Sequence, residues 1–189
     1  HFVQNELRAS NINVSIEPSV VVIADSVWNI GKSYMKIDST AIGFKDIHMY
    51  GNDQHIYIEG GIAQNETAAL DINLFNLDFG LIQPLMGRND FSGKINAKAQ
   101  LKDLYRKFML NLDMNIDSFA YQDGLLGDLK LTSFWDSDSN NLVSNLSIVN
   151  NNKELVVASG IIDPTNSQLN LGLLFDHTPV SVLDLFMPS

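Results

Sequence analysis

The alternation of apolar and polar residues is the feature that most limits how this chain can fold. It is clearest in the segment KFMLNLDMNID, residues 107–117. From Phe108 to Ile116 every second residue is apolar, and the residues between them are polar except for Met109. Because successive side chains of a β-strand point to opposite faces of a sheet, this pattern predicts a long strand with one apolar face. That face needs cover, which either protein or another apolar molecule can provide.

The same alternation recurs along most of the chain. The segments between the alternating runs are short and rich in Asn, Asp, Gly and Ser, which favour turns. Strands joined by short turns pair as antiparallel hairpins, so the sequence predicts an antiparallel sheet without βαβ units. The alternating apolar positions are Ile12, Val14 and Ile16; Met35 and Ile37; Ile56 and Ile58; Leu70, Ile72 and Leu74; Ile95, Ala97, Ala99 and Leu101; Phe108 to Ile116; Leu129 and Leu131; Leu142, Leu146 and Ile148; Leu155 and Val157; and Leu169, Leu171, Leu173 and Phe175.

Helix signals are limited to two short apolar segments, residues 78–86 and 178–186. In the second, Thr178 is a suitable N-cap and Pro179 suits the first helical position. Two such short helices cannot cover a sheet built from so many strands. The sequence therefore predicts a mainly β protein whose long antiparallel strands form a curved, groove-like, open or half-open array. A closed β-sandwich or barrel is the alternative, because alternation alone fits both.

Two stretches of the chain resemble each other and indicate an internal repeat. The segments that begin at Gln54 and at Lys153 each run as strand, Gly turn, alternating strand and short apolar helix. Repeated units of strands stack edge to edge. We therefore expect a first β-repeat unit in residues 1–90 and a second in residues 91–189, within one continuous sheet.

Composition excludes several function classes. The net charge of −10 and the scattered basic residues argue against nucleic-acid binding and against electrostatic docking on anionic headgroups. The absence of Cys excludes disulfides and thiol chemistry. No apolar run approaches the length of about eighteen residues that a membrane-spanning helix needs. Because the chain begins at His1, we expect it to be an internal piece of a longer protein, with any anchor outside it.

Candidate reactive sites are few. The chain has no nucleophile elbow, Gly-rich phosphate loop or H-E-x-x-H motif, so we expect no enzyme activity, no catalytic residues and no cofactor. Segment 136–140, DSDSN, begins like a calcium loop but lacks the later Gly and Glu, and we interpret it as a solvated hairpin turn. His48 and His55 flank a turn, with carboxylates nearby at Asp46, Asp53 and Glu59. They could bind a metal, but we expect them to face water, and we predict no metal site.

The order of these segments resembles the C-terminal β-rich region of the TamB (translocation and assembly module B) family, in the AsmA-like superfamily of bacterial envelope proteins. Trp28 is followed by KIDSTAIGFKDIHMYG, then QHIYIEGGI, then ALDINLFNLDFGLIQPLMG, and FSGKINAKAQ opens the next unit. The likeness runs from about Ser26 to Phe186 and is closest to Bacteroidetes-like members. It departs at KDLYRKFML, where Asp103 stands near a Gly of the family pattern.

The resemblance implies a groove-shaped sheet that carries phospholipid across the periplasm, in a protein anchored to the inner membrane outside this segment. It implies phospholipid acyl chains as ligand, support of outer-membrane biogenesis, and an outer-membrane assembly protein of the Omp85 type as partner through other parts of the protein. The open edges of such a sheet lead us to expect edge-to-edge self-association. The alternative function is an adhesin-like binding module built as a closed sandwich, with ligands at loops such as 136–141.

The alternation predicts that the apolar residues at every second position of the strands line the groove. The short segments Leu81–Met86 and Val182–Phe186 are expected in or over it. The predicted lining residues are Ile56, Ile58, Ile72, Leu74, Leu110, Leu112, Met114, Leu129, Leu131, Leu171 and Leu173.

Overall fold

The computed structural model describes residues 11–23, 26–63, 68–83, 87, 90–104, 107–122, 124–163, 166 and 168–176. These residues form thirteen strands and a short 3-10 helix, Phe79–Leu81. The strands are β1 (Ile12–Ile16), β2 (Ser19–Ile23), β3 (Ser26–Ile30), β4 (Ser33–Ile37), β5 (Ala41–Gly51), β6 (Gln54–Ala63), β7 (Ala69–Asp78), β8 (Phe91–Lys102), β9 (Met109–Tyr121), β10 (Gly124–Asp136), β11 (Asn141–Asn150), β12 (Lys153–Asp163) and β13 (Gln168–Phe175).

All of these strands belong to one antiparallel sheet. From β5 to β13 each strand pairs with the next strand along the chain. On its other side, β5 pairs with β4 at one end and with β3 at the other end. β4 also pairs with β1, and β3 also pairs with β2. β7 and β8 lie on either side of the expected unit boundary at residues 90 and 91, and they pair directly. The sheet is not closed into a barrel. The predicted mainly β, antiparallel, open array is confirmed, and the described strands do not form the closed alternative.

The strand register lines up one apolar residue from each of seven neighbouring strands. Because directly paired residues of an antiparallel sheet share a face, these side chains lie side by side. This line of residues, the floor row, contains Leu77, Ile95, Ile116, Leu129, Ile148, Val156 and Phe175.

Bulges interrupt the pairing of neighbouring strands close to the floor row. They lie between Leu74 and Leu77 in β7, at Ser118 and Phe119 of β9, which together oppose Gly93 of β8, and around Gly127 in β10. A bulge bends its strand and increases the local twist. Several bulges side by side therefore bend the whole sheet beside the floor row.

Two residues with a left-handed backbone conformation in this region donate their N–H groups to side chains of adjacent strands. The N–H of Asn76, which has φ +50°, donates to Oδ1 of Asn96 at 2.9 Å. The N–H of Ser118, which has φ +53°, donates to Oδ1 of Asp128 at 3.0 Å. These bonds replace ladder hydrogen bonds that the bulges remove, so the bend leaves neither amide without a partner.

The bend closes the floor row off from solvent. Ile95, Ile116 and Val156 are exposed by only 1%, 2% and 0%. A flat single-layer sheet would leave one of its faces open to water, so this burial requires other parts of the chain to lie over the row. Trp28 of β3, 1% exposed, belongs to the same core. Four aromatic rings pack against one another in this core with centroid separations of 5.5–6.1 Å, those of Phe79, Phe91, Phe119 and Tyr121.

Two details of the predicted alternation are wrong. Phe108 is not in the long strand: β9 begins at Met109, and Phe108, at φ +47°, donates its N–H to the Asp103 oxygen in the preceding turn. β12 is a strand as predicted, but Val156 takes the inward place expected of Leu155 and Val157, because a bulge in the β11–β12 pairing moves Leu155 out of register. Asp103 itself has φ +47°, the left-handed conformation that favours glycine.

Of the helix predicted over residues 78–86, the described residues show the 3-10 turn Phe79–Leu81 and, after it, Gln83, which is also helical. Asp78 caps the 3-10 turn by accepting the N–H of Gly80 at 2.8 Å, and Leu81 and Ile82 pack against the core. Residues 84–86 and the helix predicted over residues 178–186 lie outside the described residues. The two repeated hairpins do begin at equivalent places, with Gln54 and Lys153 as the first residues of β6 and β12.

Replacing Gly127 by Ala should destabilise the sheet strongly. Gly127 has φ +125°, and an added Cβ would lie 2.1 Å from the Val149 oxygen. We expect Gly127→Ala to lower the free energy of unfolding in urea by about 3 kcal/mol. Gly124→Ala, in the same strand, is the matched control, because its Cβ would approach the Tyr121 oxygen only to 3.4 Å. Equal losses in the two variants would contradict the assigned role of the bulge.

Candidate functional site

The residues predicted to line a groove all lie on one face of the sheet. Leu129 is in the floor row, and Leu110 pairs with Leu101 at the far end of the same face. The next row, here called the middle row, contains Met49, Ile56, Leu74, Ala97, Met114, Leu131, Leu146, Ala158 and Leu173. The row after it, the outer row, contains Ile47, Ile58, Ile72, Ala99, Leu112, Ser133, Ser144, Gly160 and Leu171. We call this surface the apolar face.

Exposure on the apolar face is greatest at β13. Leu129 in the floor row is 7% exposed, whereas Leu173 and Leu171 on β13 are 39% and 51% exposed. The other predicted lining residues are half-buried, and Leu112 and Leu131 among them pack against the core.

The centre of the outer row is buried. Ser133 is 7% exposed and Gly160 is buried. The apolar face is therefore packed at the floor row and most accessible on β13.

The apolar face extends further than the predicted lining. Ile12, Ile37, Ile42 and Ile62 are paired in sequence across β1, β4, β5 and β6. The strands of Ile12, Ile37 and Ile62 were recognised from alternation and β5, the strand of Ile42, was not. Which face these residues join depends on strand order and on the bulge in β5. The face thus reaches from the outermost strand β1 to the outermost strand β13.

Small residues occupy the centre of the outer row. Ser133 and Ser144 are hydrogen bonded through their hydroxyls at 2.8 Å, and Gly160 follows in β12. Because the two hydroxyls satisfy each other, they offer weak polar anchoring to a ligand. The apolar alternation gave no signal for this pair of hydroxyls.

The opposite face is polar in part of its area. Its residues that alternate with the middle and outer rows include Asp71, Asn73, Lys98, Asp113 and Lys130. The Gln100 side chain donates to the Asp71 carboxylate at 2.9 Å across neighbouring strands.

The same face also exposes apolar side chains. Phe134 of β10, Ile161 of β12 and Leu174 of β13 are 47%, 46% and 64% exposed. The face opposite to the apolar face is therefore charged around Lys98 and Asp113 and apolar around Phe134 and Ile161.

Two sites considered from the sequence lie away from the apolar face. Asp136 lies at the β10–β11 hairpin turn, where its carboxylate accepts the Ser139 hydroxyl at 2.6 Å and the Asp138 N–H at 3.1 Å. These hydrogen bonds lower the pKa of Asp136. His48 and His55 lie on the polar face with Nε2 and Nδ1 3.1 Å apart. In the described part of the chain, no group of three or more His, Cys, Asp and Glu is arranged to hold a metal ion.

No family model, curated protein or solved structure matches this chain. Among the described residues, no helix is both long and apolar enough to cross a membrane. The family and the function of the chain are therefore proposals, which rest on its sequence, its fold and its continuous apolar face.

The two ends of the apolar face should respond differently to truncation. Leu129→Ala removes a buried side chain from the floor row, and we expect it to lower the free energy of unfolding by about 3 kcal/mol. Leu171→Ala removes a half-exposed side chain, and we expect a loss below about 1 kcal/mol. Urea unfolding monitored by circular dichroism measures both. A large loss in Leu171→Ala would mean that protein covers the outer row as tightly as it covers the floor row.

Proposed function

We propose that this chain is a non-enzymatic segment that shelters phospholipid acyl chains along its apolar face. The observation that carries the proposal is the continuity of that face from β1 to β13 on a sheet that is not closed. Burial of each methylene contributes about 0.8 kcal/mol, so an acyl chain along the outer row gains from every carbon that it places there.

The distribution of polar groups supports an apolar ligand that can slide. The Ser133 and Ser144 hydroxyls bond to each other, and the charges of Lys98 and Asp113 lie on the opposite face. Specific binding sites hold a ligand in one orientation with a few placed polar groups. The outer row has few such groups, which favours movement of an acyl chain along it over fixed binding.

The proposed setting is the bacterial periplasm, in a TamB-like protein anchored to the inner membrane outside this segment. The order of sequence elements from Trp28 through the two repeated hairpins supports this proposal. In it, the apolar face conducts lipid toward the outer membrane and supports its biogenesis, and an assembly protein of the Omp85 type binds other parts of the protein. The single sheet gives no support to the closed adhesin-like module, which needs two packed sheets.

The outer strands suggest how the face is extended. β13 pairs with β12 on one side, and Leu169 and Leu171 on it, which belong to the apolar face, are 64% and 51% exposed. Unpaired backbone groups at a sheet edge bind a further strand readily. We propose that such edges carry the apolar face into neighbouring units of the same protein, and that the isolated chain self-associates through them.

Lipid occupancy in the full-length protein tests the function. Leu112→Arg places a charge in the outer row, and Asn115→Arg places the same charge on the polar side of the same strand, β9. We expect native mass spectrometry to detect co-purified phospholipid with the unmodified protein and with Asn115→Arg, but much less with Leu112→Arg. Envelope integrity should fall in the same order.

A folded Leu112→Arg variant with normal lipid occupancy and normal envelope integrity would contradict the proposal. Circular dichroism of each variant establishes folding. Absence of phospholipid from all three proteins would also count against it.

A further inference from the structure

The polar face carries one feature that the lipid proposal does not use, a pair of histidines joined across β5 and β6. Nε2 of His48 and Nδ1 of His55 lie 3.1 Å apart, although the residues are not directly paired in the sheet. His48 pairs with Tyr57, and His55 pairs with Tyr50. The strand register therefore places two imidazoles and two phenols in one compact group.

Stacked rings hold His48 in its orientation. Its ring centroid lies 4.2 Å from that of Tyr57 with an interplanar angle of 8°, and 4.9 Å from that of Tyr50. The two imidazole planes are inclined by only 17°. A side chain with two stacked neighbours loses little further freedom when it binds a ligand. The two ring nitrogens are thus preorganised toward a common point.

The distance between the nitrogens fits two kinds of bridge. One is a proton, as in an imidazole–imidazole hydrogen bond. The other is a metal ion: at metal–nitrogen distances of about 2.0–2.1 Å and ligand angles from square-planar to tetrahedral, two ligating nitrogens lie about 2.9–3.4 Å apart. The proton bridge requires that at least one ring be neutral, and the metal bridge requires that both rings be neutral.

The surroundings favour a neutral His48. Its burial, and secondarily the neighbouring His55, lower the pKa of this imidazole. The charged residues on the same side of β5, β6 and β7 include three carboxylates and one ammonium group, so the local balance also favours a cation. They are Lys45, Asp46, Glu59 and Asp71.

We infer that His48 and His55 form a binding site for a divalent ion of the Cu²⁺, Ni²⁺ and Zn²⁺ class, which imidazole ligands suit. His48 contributes Nε2 and His55 contributes Nδ1, and water or a ligand from another molecule completes the coordination. Among the described residues no third His, Asp or Glu joins them. The bound ion therefore exchanges with solution, and it links β5 to β6 on the face opposite to the apolar face.

Calorimetric titration of the chain with CuSO₄ tests the inference, using a background in which His1→Ala removes a possible terminal ligand. We expect one ion per chain and a loss of affinity of at least about tenfold in His48→Gln and in His55→Gln. His177→Gln is the matched control and should leave the isotherm unchanged. Affinity should also fall in acid, because protons then compete for the imidazoles.

Electron paramagnetic resonance of the Cu²⁺ form gives a second readout that does not depend on the variants' stability. Couplings from two imidazole nitrogens in the unmodified pair, and from one in either Gln variant, would support the site. Binding that is unchanged in both Gln variants, or a spectrum without two-imidazole coupling, would overturn it and leave the proton as the bridge. Neither result bears on lipid occupancy, so the two proposals fail separately.

Discussion

The register of the antiparallel ladder is the constraint on which the rest of this structure depends. Each strand from β5 to β13 contributes apolar residues at every second position, and the ladder sets these positions opposite one another. A slip of one residue in any pair would turn that strand's apolar side chains to the polar face. Correct pairing at each strand is therefore needed for Leu77, Leu129 and Val156 to share one row.

The bulges adjust this register without breaking it. At Leu74–Leu77 in β7, Ser118–Phe119 in β9 and Gly127 in β10 the extra residue restores the inward parity and bends its strand at the same place. The bend thus contributes to the burial of the floor row, together with the parts of the chain that lie over it.

The sequence predicts the features of the fold that depend on local periodicity. The strands around Ile58, Leu112 and Leu131 and their shared face follow from a period of two residues. The buried position of Val156 does not, because a bulge in the β11–β12 pairing determines it. The contact of His48 with His55 also depends on a cross-strand register that a single sequence does not reveal. The periodicity also predicted that Phe108 belongs to the strand, whereas backbone hydrogen bonds to the Asp103 oxygen form a turn there.

The central claim is that the accessible part of the apolar face contacts acyl chains and that the polar face does not. It can be tested by incorporating a photo-activated benzophenone amino acid at Leu171 or at Asn170, adjacent residues of β13 that point to opposite faces, in the full-length protein in cells with labelled phospholipid. The account predicts a lipid adduct from position 171 and little from position 170. Equal labelling at both positions, or adducts with protein alone at position 171, would contradict it.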